Sequence, residues 1–479
     1  MFIVEKRKLL LLILLTILVA TIPLTGASAA VEWNKHTLTK VYDPAGDRYA
    51  YAPSIIREGD VEHMWTCHND ADGVIKDHIY YTRTENGVVT ESKSVLQAGP
   101  TGSWDSNHVC DPSVVAGKFN YNGAEYDYAL FYLGNDVNGS AHNQIGVAFS
   151  DDLAGEWVKY PNPLVEYPND GFWGVGQPSA TSVDGQGRVL LFFTKGDPTA
   201  TEAYRIEMNL IQMASPSIGP PIRLTNDGLR NASDQPDFLN NFDIAYDPTR
   251  DRFYAIRELH PYPSGNPNYI TDGQQIVSID GGSVWGGGGQ WKIEGTISPS
   301  TTGFPRNHNG GLLRTVHGTL PDPNSIGAYF TDSEAAPNLT GRAEFTYDIW
   351  RIVGKLTDGD AVLEKALDGF KGKHFSVAKL TENLNTNEFL LYGAVNSKAM
   401  KKWKDQTIWI GYRIYKANGD LFEAGTAYLD RIAQNGSFSI PLIKPEGMNG
   451  QMMKLEVFLL SGKGKLIESA EKIVAFNLS

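Results

Sequence analysis

Short apolar runs separated by turn residues dominate the chain from residue 31 to about 355. Asp127–Leu133, Gln144–Ser150, Arg188–Thr194, Arg252–Ile256, Ile276–Ile279 and Ile326–Thr331 are four to seven residues each, with Gly, Asp, Asn or Pro nearby. That length and punctuation predicts β-strands. Apolar spacing of the 3.6-residue kind is nearly missing, and the one modest helical candidate is Ala361–Leu367. After about residue 375 the alternation resumes over Glu388–Tyr392, Thr407–Tyr415, Ser437–Leu442, Lys454–Leu460 and Glu471–Phe476.

The strands are organised by a repeated phrase. Tyr51-Ala-Pro-Ser-Ile-Ile returns as Cys110-Asp-Pro-Ser-Val-Val and Gly176-Gln-Pro-Ser-Ala-Thr, with weaker echoes at Phe242-Asp-Ile-Ala-Tyr-Asp and His308-Asn-Gly-Gly-Leu-Leu. A fixed period of this length signals a repeat architecture. The second unit reads as four strands: 112–116, 127–133, 144–150 and 156–160. A four-stranded unit repeated radially is a propeller blade. The fold expected is all-β: a five-bladed β-propeller over 30–355, a linker over 356–374, and a small C-terminal β-sandwich over 375–479. Ser278-Ile-Asp-Gly-Gly-Ser-Val-Trp285 resembles an Asp-box, in which Asp bonds turn amides, Gly takes positive φ and Trp packs beneath. Phe149-Ser-Asp-Asp-Leu-Ala-Gly-Glu-Trp157 is a looser version.

Composition narrows the class. Lys6, Arg7 and Lys8 precede an apolar run and an Ala27-Ser28-Ala29 site, which reads as a signal peptide over 1–29. The expected protein is therefore secreted, extracellular or cell-surface associated, without a stable membrane span after cleavage. A formal charge of −13 argues against a nucleic-acid surface. Export permits a disulfide between Cys67 and Cys110, the two cysteines; two buried thiols are the alternative.

In a propeller the starts of the innermost strands converge on one face. The repeat phrases would then present Ala52, Asp111, Gln177, Asp243 and Asn309 together, with Asp105, His108, Trp173 and His308 nearby. This arrangement resembles the five-bladed propeller glycoside hydrolases of the arabinanase, xylosidase and fructosidase type, over roughly residues 45–355. The resemblance implies a hydrolase of a plant or microbial polysaccharide or oligosaccharide that works with paired carboxylates. One would protonate the glycosidic oxygen while another activates water or attacks the sugar. Asp111, Asp243 and Glu258 are the catalytic candidates. Asp105, His108, Trp173, Gln177 and Asn309 are candidates for binding carbohydrate. His308 resembles the axial His that such enzymes associate with a bound cation, which implies Ca²⁺ and no organic cofactor. Pro112 is expected to bias Asp111 towards extended backbone. The chain departs from the family pattern at Ala52 and Gln177, where carboxylates are usual. A carbohydrate-binding propeller without catalysis, or a structural surface protein, is the competing expectation.

Overall fold

The computed structural model describes residues 31–139, 141–196 and 200–357, and then 362–367, 369–383, 388–402, 408–416, 419–429, 437–442, 452–461 and 463–475. The expected signal peptide lies outside the described residues. β1 (Val31–Tyr42) comes first. The first repeat follows as β2 (Ala50–Glu58), β3 (Val61–Asn69), β4 (Asp77–Glu85) and β5 (Val88–Leu96). The second is β6 (His108–Tyr121), β7 (Ala124–Asn135), β8 (Gln144–Ser150) and β9 (Val158–Lys159). The third is β10 (Val175–Ser182), β11 (Arg188–Lys195), β12 (Glu202–Asn209), β13 (Ser217–Ile218) and β14 (Ile222–Arg223). The fourth is β15 (Asp243–Asp247), β16 (Arg252–Glu258), β17 (Gln274–Asp280) and β18 (Lys292–Ile297). The fifth has β19 (Arg306–Arg314), β20 (Ser325–Ser333) and β21 (Asp348–Leu356), and β1 pairs antiparallel with β21 as its fourth strand. The outermost strand of the last unit therefore precedes the first unit in the chain.

Each unit is an antiparallel meander, and the first and fifth are joined by a short parallel pairing of Leu313 and Arg314 with Ile55 and Ile56. The innermost strands β2, β6, β10, β15 and β19 contact one another in cyclic order. The apolar cores lie between the units. Ile56 and Trp65 meet Val114 and Leu130 between the first and second. Val115 and Phe131 meet Ala180 and Leu191 between the second and third. Phe192 meets Ile244 and Phe253 next, then Ile256 meets Leu312 and Val31. Leu313 and Tyr329 meet Ile55 and Met64 last. Both faces of each unit are covered, which explains why its central strands are apolar on both sides.

The chain continues into β22 (Val362–Ala366), β23 (Phe375–Asn383), β24 (Glu388–Val395), β25 (Ile408–Tyr415), β26 (Leu421–Leu429), β27 (Ser437–Leu442), β28 (Met452–Ser461) and β29 (Leu466–Ala475). They form two four-stranded sheets that share one core, including Leu380, Leu391, Ile410, Val457 and Leu459. Two expectations fail here. Residues 362–366 are a strand paired with β23 and not a helix, and this pairing places them in a sheet within the expected linker. Local propensity over so short a stretch is outweighed by an available strand partner.

The Asp-box reading also needs correction. Residues Gly281–Gly286 form a short helix, Asp280 pairs with Arg252 at 3.1 Å, and Trp285 is 41% exposed. The tryptophan that packs beneath is Trp291, 2% exposed, with its Nε1 donating to the Thr225 carbonyl. The looser match behaves as the motif should. The Ala154 N–H donates to Asp152 Oδ1 at 2.9 Å, and Trp157 is buried edge-on against Trp65.

Candidate functional site

A depression sits where the innermost strands converge. It is lined by Ala52, Pro53, Asp111, Pro112, Gln177, Pro178, Asn241, Phe242, Asp243, Asn309 and Gly310, so each of the five repeats contributes. Ala52, Asp111, Gln177, Asn241 and Asn309 all have left-handed backbone, with φ between 41° and 54°. Non-glycine residues rarely adopt it. In four repeats the pairing register slips at this point, between Tyr51 and Ser54, Cys110 and Ser113, Gly176 and Ser179, and His308 and Gly311. The phrase is therefore a bulge. Proline lacks the N–H that the ladder needs, so in a strand it settles at an edge or bulge, and the bulge re-aims the preceding side chain at the axis. Two sequence expectations are corrected. Asp111 is not extended, because the bulge outweighs the local preference imposed by Pro112. In the fourth repeat the ring position belongs to Asn241, while Asp243 stands two residues on, level with Ser54, Ser113 and Ser179.

That second level has its own partner. Arg314 is fully buried and spans the repeats. Its Nη2 donates to the hydroxyls of Ser54 (2.9 Å) and Ser113 (3.3 Å), and its Nη1 to Ser179 Oγ and the carbonyls of Ala180 and Ile244. Nη1 lies 3.3 Å from Asp243 Oδ1. Asp243 also accepts from the Ser179 hydroxyl (2.6 Å) and the Leu312 N–H (2.8 Å). Sequence reading missed Arg314. Its only signal is a lone cation closing the apolar pair Leu312-Leu313.

Asp111 is partly exposed to the depression. Burial pushes its carboxyl up to about 7; the nearby charges of Asp77 and Glu258 add to this, while the Gln177 N–H, donating to Oδ2 at 3.2 Å, opposes it. Cys67 and Cys110 form a disulfide linking β3 to β6, and the Asp111 N–H donates to Cys67 Sγ at 3.0 Å. Asp77 went unnoticed in the sequence. It accepts from Tyr49 (2.7 Å) and Tyr51 (3.1 Å) and lies 3.1 Å from His108 Nδ1, which itself accepts the Asp77 N–H.

Glu258 is 2% exposed and does not line the depression. It accepts from the Tyr262 hydroxyl (2.7 Å), Asn240 (3.3 Å) and the Asn309 N–H (3.3 Å). Burial raises its pKa, against hydrogen bonds from Tyr262, Asn241 and the Asn309 N–H. Gln177 is held in the ring, its Oε1 accepting from Thr194 Oγ1 (2.7 Å) and the Asn241 N–H (2.9 Å).

Other candidates stand apart. Asp105 is buried against Lys159 (2.5 Å) and accepts from Tyr132 (3.1 Å). Trp173 lies against Gly176 and Gly196, outside the pocket lining. His308 is buried. Its Nδ1 is 2.7 Å from Asn309 Oδ1, its Nε2 has no hydrogen-bond partner, and burial lowers its pKa to about 4. Among the described residues no group of three His, Cys, Asp or Glu ligand atoms includes His308, so a Ca²⁺ beside it would be held by carbonyl, carboxamide and water oxygens, with His308 bonded to the water shell. Ligand atoms of Cys67, Cys110 and Asp111 do converge, but the two sulfurs are used in the disulfide and offer no thiolate.

No helix among the described residues is long and apolar enough to cross a membrane. No family model and no curated protein matches the chain. Solved structures do. The α-L-arabinofuranosidase PaAbf62A from Podospora anserina, in complex with cellotriose, is similar over 69% of this chain and 98% of its own, at 13% identity and a TM-score of 0.45. An α-L-arabinofuranosidase from Lactobacillus brevis is similar over 69% and 95%, at 11% identity and a TM-score of 0.43. A thermostable family-43 glycoside hydrolase is similar over 66% and 92%, at 11% identity and a TM-score of 0.43. Likeness at this level says nothing of the pocket's chemistry.

Proposed function

We propose that the five units close into a five-bladed β-propeller, that the two C-terminal sheets, β22 included, form a separate β-sandwich, and that the protein is an exported glycoside hydrolase. The buried disulfide suits an oxidising compartment. One observation carries the enzymatic reading: the axial pocket is lined by two carboxyl groups in opposite settings. Asp111 is held towards its protonated form near neutrality, whereas Asp243 is ion-paired with Arg314. A carboxyl that keeps its proton suits the acid of such a pair, and a second carboxyl in the same pocket suits the base.

In this mechanism Asp111 gives its proton to the glycosidic oxygen as the bond to the anomeric carbon breaks. Asp243 takes a proton from the attacking water, using a lone pair not spent on Ser179, Leu312 or Arg314. Glu258 acts through charge, helping to keep Asp111 protonated. The carboxamides of Asn241 and Asn309 suit sugar hydroxyls, which both donate and accept. No step uses a metal.

A second reading is supported by the ring itself. Four of its five positions, Ala52, Gln177, Asn241 and Asn309, carry no carboxyl, and a pocket of this kind suits recognition without cleavage. Incubation with arabinan, xylan, fructan and galactan decides between them. Hydrolysis predicts sugar release from at least one, lowered at least ~100-fold in Asp111→Asn. Binding to a glycan without release from any would assign the pocket to recognition alone.

A further inference from the structure

The Cys67–Cys110 disulfide joins the second strand of the first repeat to the innermost strand of the second, and its sulfurs lie against Asp111. The bulge between Cys110 and Ser113 takes the Asp111 N–H out of the β6–β7 ladder, and Cys67 Sγ accepts it at 3.0 Å. In the side chain, Asp111 Oδ1 lies 3.5 Å from Cys110 Sγ and 3.9 Å from Cys67 Sγ. Both are within reach of an S–H donor, but a disulfide sulfur has no hydrogen to give. The Tyr51 hydroxyl, 3.2 Å from Cys110 Sγ, donates to Asp77 Oδ2 at 3.1 Å. Asp111 Oδ2 accepts the Gln177 N–H. That leaves Oδ1, which faces the sulfurs, as the oxygen to carry the carboxyl proton. The titratable groups around it come from other strands. Asp77 of β4 and Glu258 of β16 act on Asp111 through charge, and Tyr51 of β2 feels the charge of Asp111. Asp243 of β15 shares the pocket and is paired with Arg314 of β19. None of these groups changes when the disulfide opens.

We infer that Cys67 and Cys110 are positioning residues for Asp111, and that their oxidised form holds the proton on its carboxyl. A free thiol at either place would donate to Oδ1, and a donor to the charged form favours the carboxylate. Opening the bridge then turns a proton-holding carboxyl into a carboxylate. A dithiol does this in balance. One of its sulfurs attacks a cysteine sulfur and the S–S bond breaks; its second sulfur then displaces that cysteine. The products are a cyclic disulfide and two cysteine thiols, which receive the two hydrogens of the dithiol. The inference rests on the reading of Asp111 as the acid of the pocket, but its test contains no sugar.

Carbon-13 NMR of the full chain, labelled at the aspartate carboxyl carbons, follows the titration directly, with the Asp111 signal identified by its loss in Asp111→Asn. The oxidised protein should titrate near 7. Reduction with dithiothreitol should lower that midpoint by at least about one unit, a tenfold change in the proton equilibrium. Cys67→Ser combined with Cys110→Ser supplies hydroxyl donors and should lower it likewise. Cys67→Ala combined with Cys110→Ala opens the bridge without supplying a donor and should leave the midpoint close to the oxidised value. An oxidised midpoint in the ordinary carboxylate range would overturn the inference even if every cysteine variant failed to fold. So would a midpoint unmoved once a thiol reagent counts both cysteines as free, or an alanine pair that falls as far as the serine pair. Sugar release together with an unmoved midpoint would keep the hydrolase reading and remove the role of the disulfide. A midpoint that moves as expected, with no sugar released, would do the reverse.

Discussion

Asp111 shows how one residue can cost stability in order to be useful. Its folded carboxyl titrates at about 7 against an ordinary 3.8. Below the lower value it is protonated in both the folded and unfolded states. Between the two, the folded protein keeps a proton that the unfolded chain releases, so this group's contribution falls as pH rises and is lowest above about 7. Asp111→Asn has no such dependence. Thermal unfolding should find the variant more stable than the wild type at pH 8.5, by roughly 2 kcal/mol once partial exposure is allowed for, and nearly level with it at pH 3.5. A gain of equal size at both pH values would remove titration as its cause. Asp111 was legible because it lies inside the repeat phrase. Asp77 was not, because it opens β4 outside any phrase, and only the fold brings it beside His108 and the two tyrosines.

At the scale of elements, the innermost strands are held by a device divided among five segments. The Pro-Ser phrase supplies a bulge that turns one side chain to the pocket, then a hydroxyl that faces Arg314. Asp243 replaces the hydroxyl in the fourth strand and balances the guanidinium. Arg314→Met retains length and apolar volume but leaves Asp243 and three serines without their shared donor. Its cost in urea unfolding should be about 3–5 kcal/mol, as for a buried pair broken on one side. The double variant with Asp243→Asn should recover part of that loss, as coupled residues do. Additive costs would mean that the two side chains act independently. The Asp-box segments teach a related lesson. The closer match, ending at Trp285, exposes its tryptophan, whereas the looser one buries Trp157. A turn motif specifies hydrogen bonds among near neighbours; which tryptophan is covered depends on packing against the third unit, and there Trp291 of the same repeat fills the space.

For the whole molecule, the decisive contact is between distant segments. β1 completes the sheet of the fifth repeat through Val31–Leu356 and the pairs that follow, and Val31 enters the core between the fourth and fifth units. A chain starting at residue 43 would expose the edge of β21 and uncover that core. It should lose roughly 3 kcal/mol or more in denaturant unfolding, given the apolar area released by Val31 and Trp33. An unchanged midpoint would make β1 an appendage. The sequence by itself determined the all-β class, the five repeats and the importance of the Pro-Ser phrase, because strand length, turn residues and proline's missing N–H are local properties. Tertiary structure alone decided that Asn241 and not Asp243 completes the ring, that Arg314 ties the strands together, that Glu258 lies beneath the pocket lining, and that Asp111 holds its proton near neutrality. Each of these depends on burial, or on charges and donors brought in from other repeats, which linear spacing does not encode.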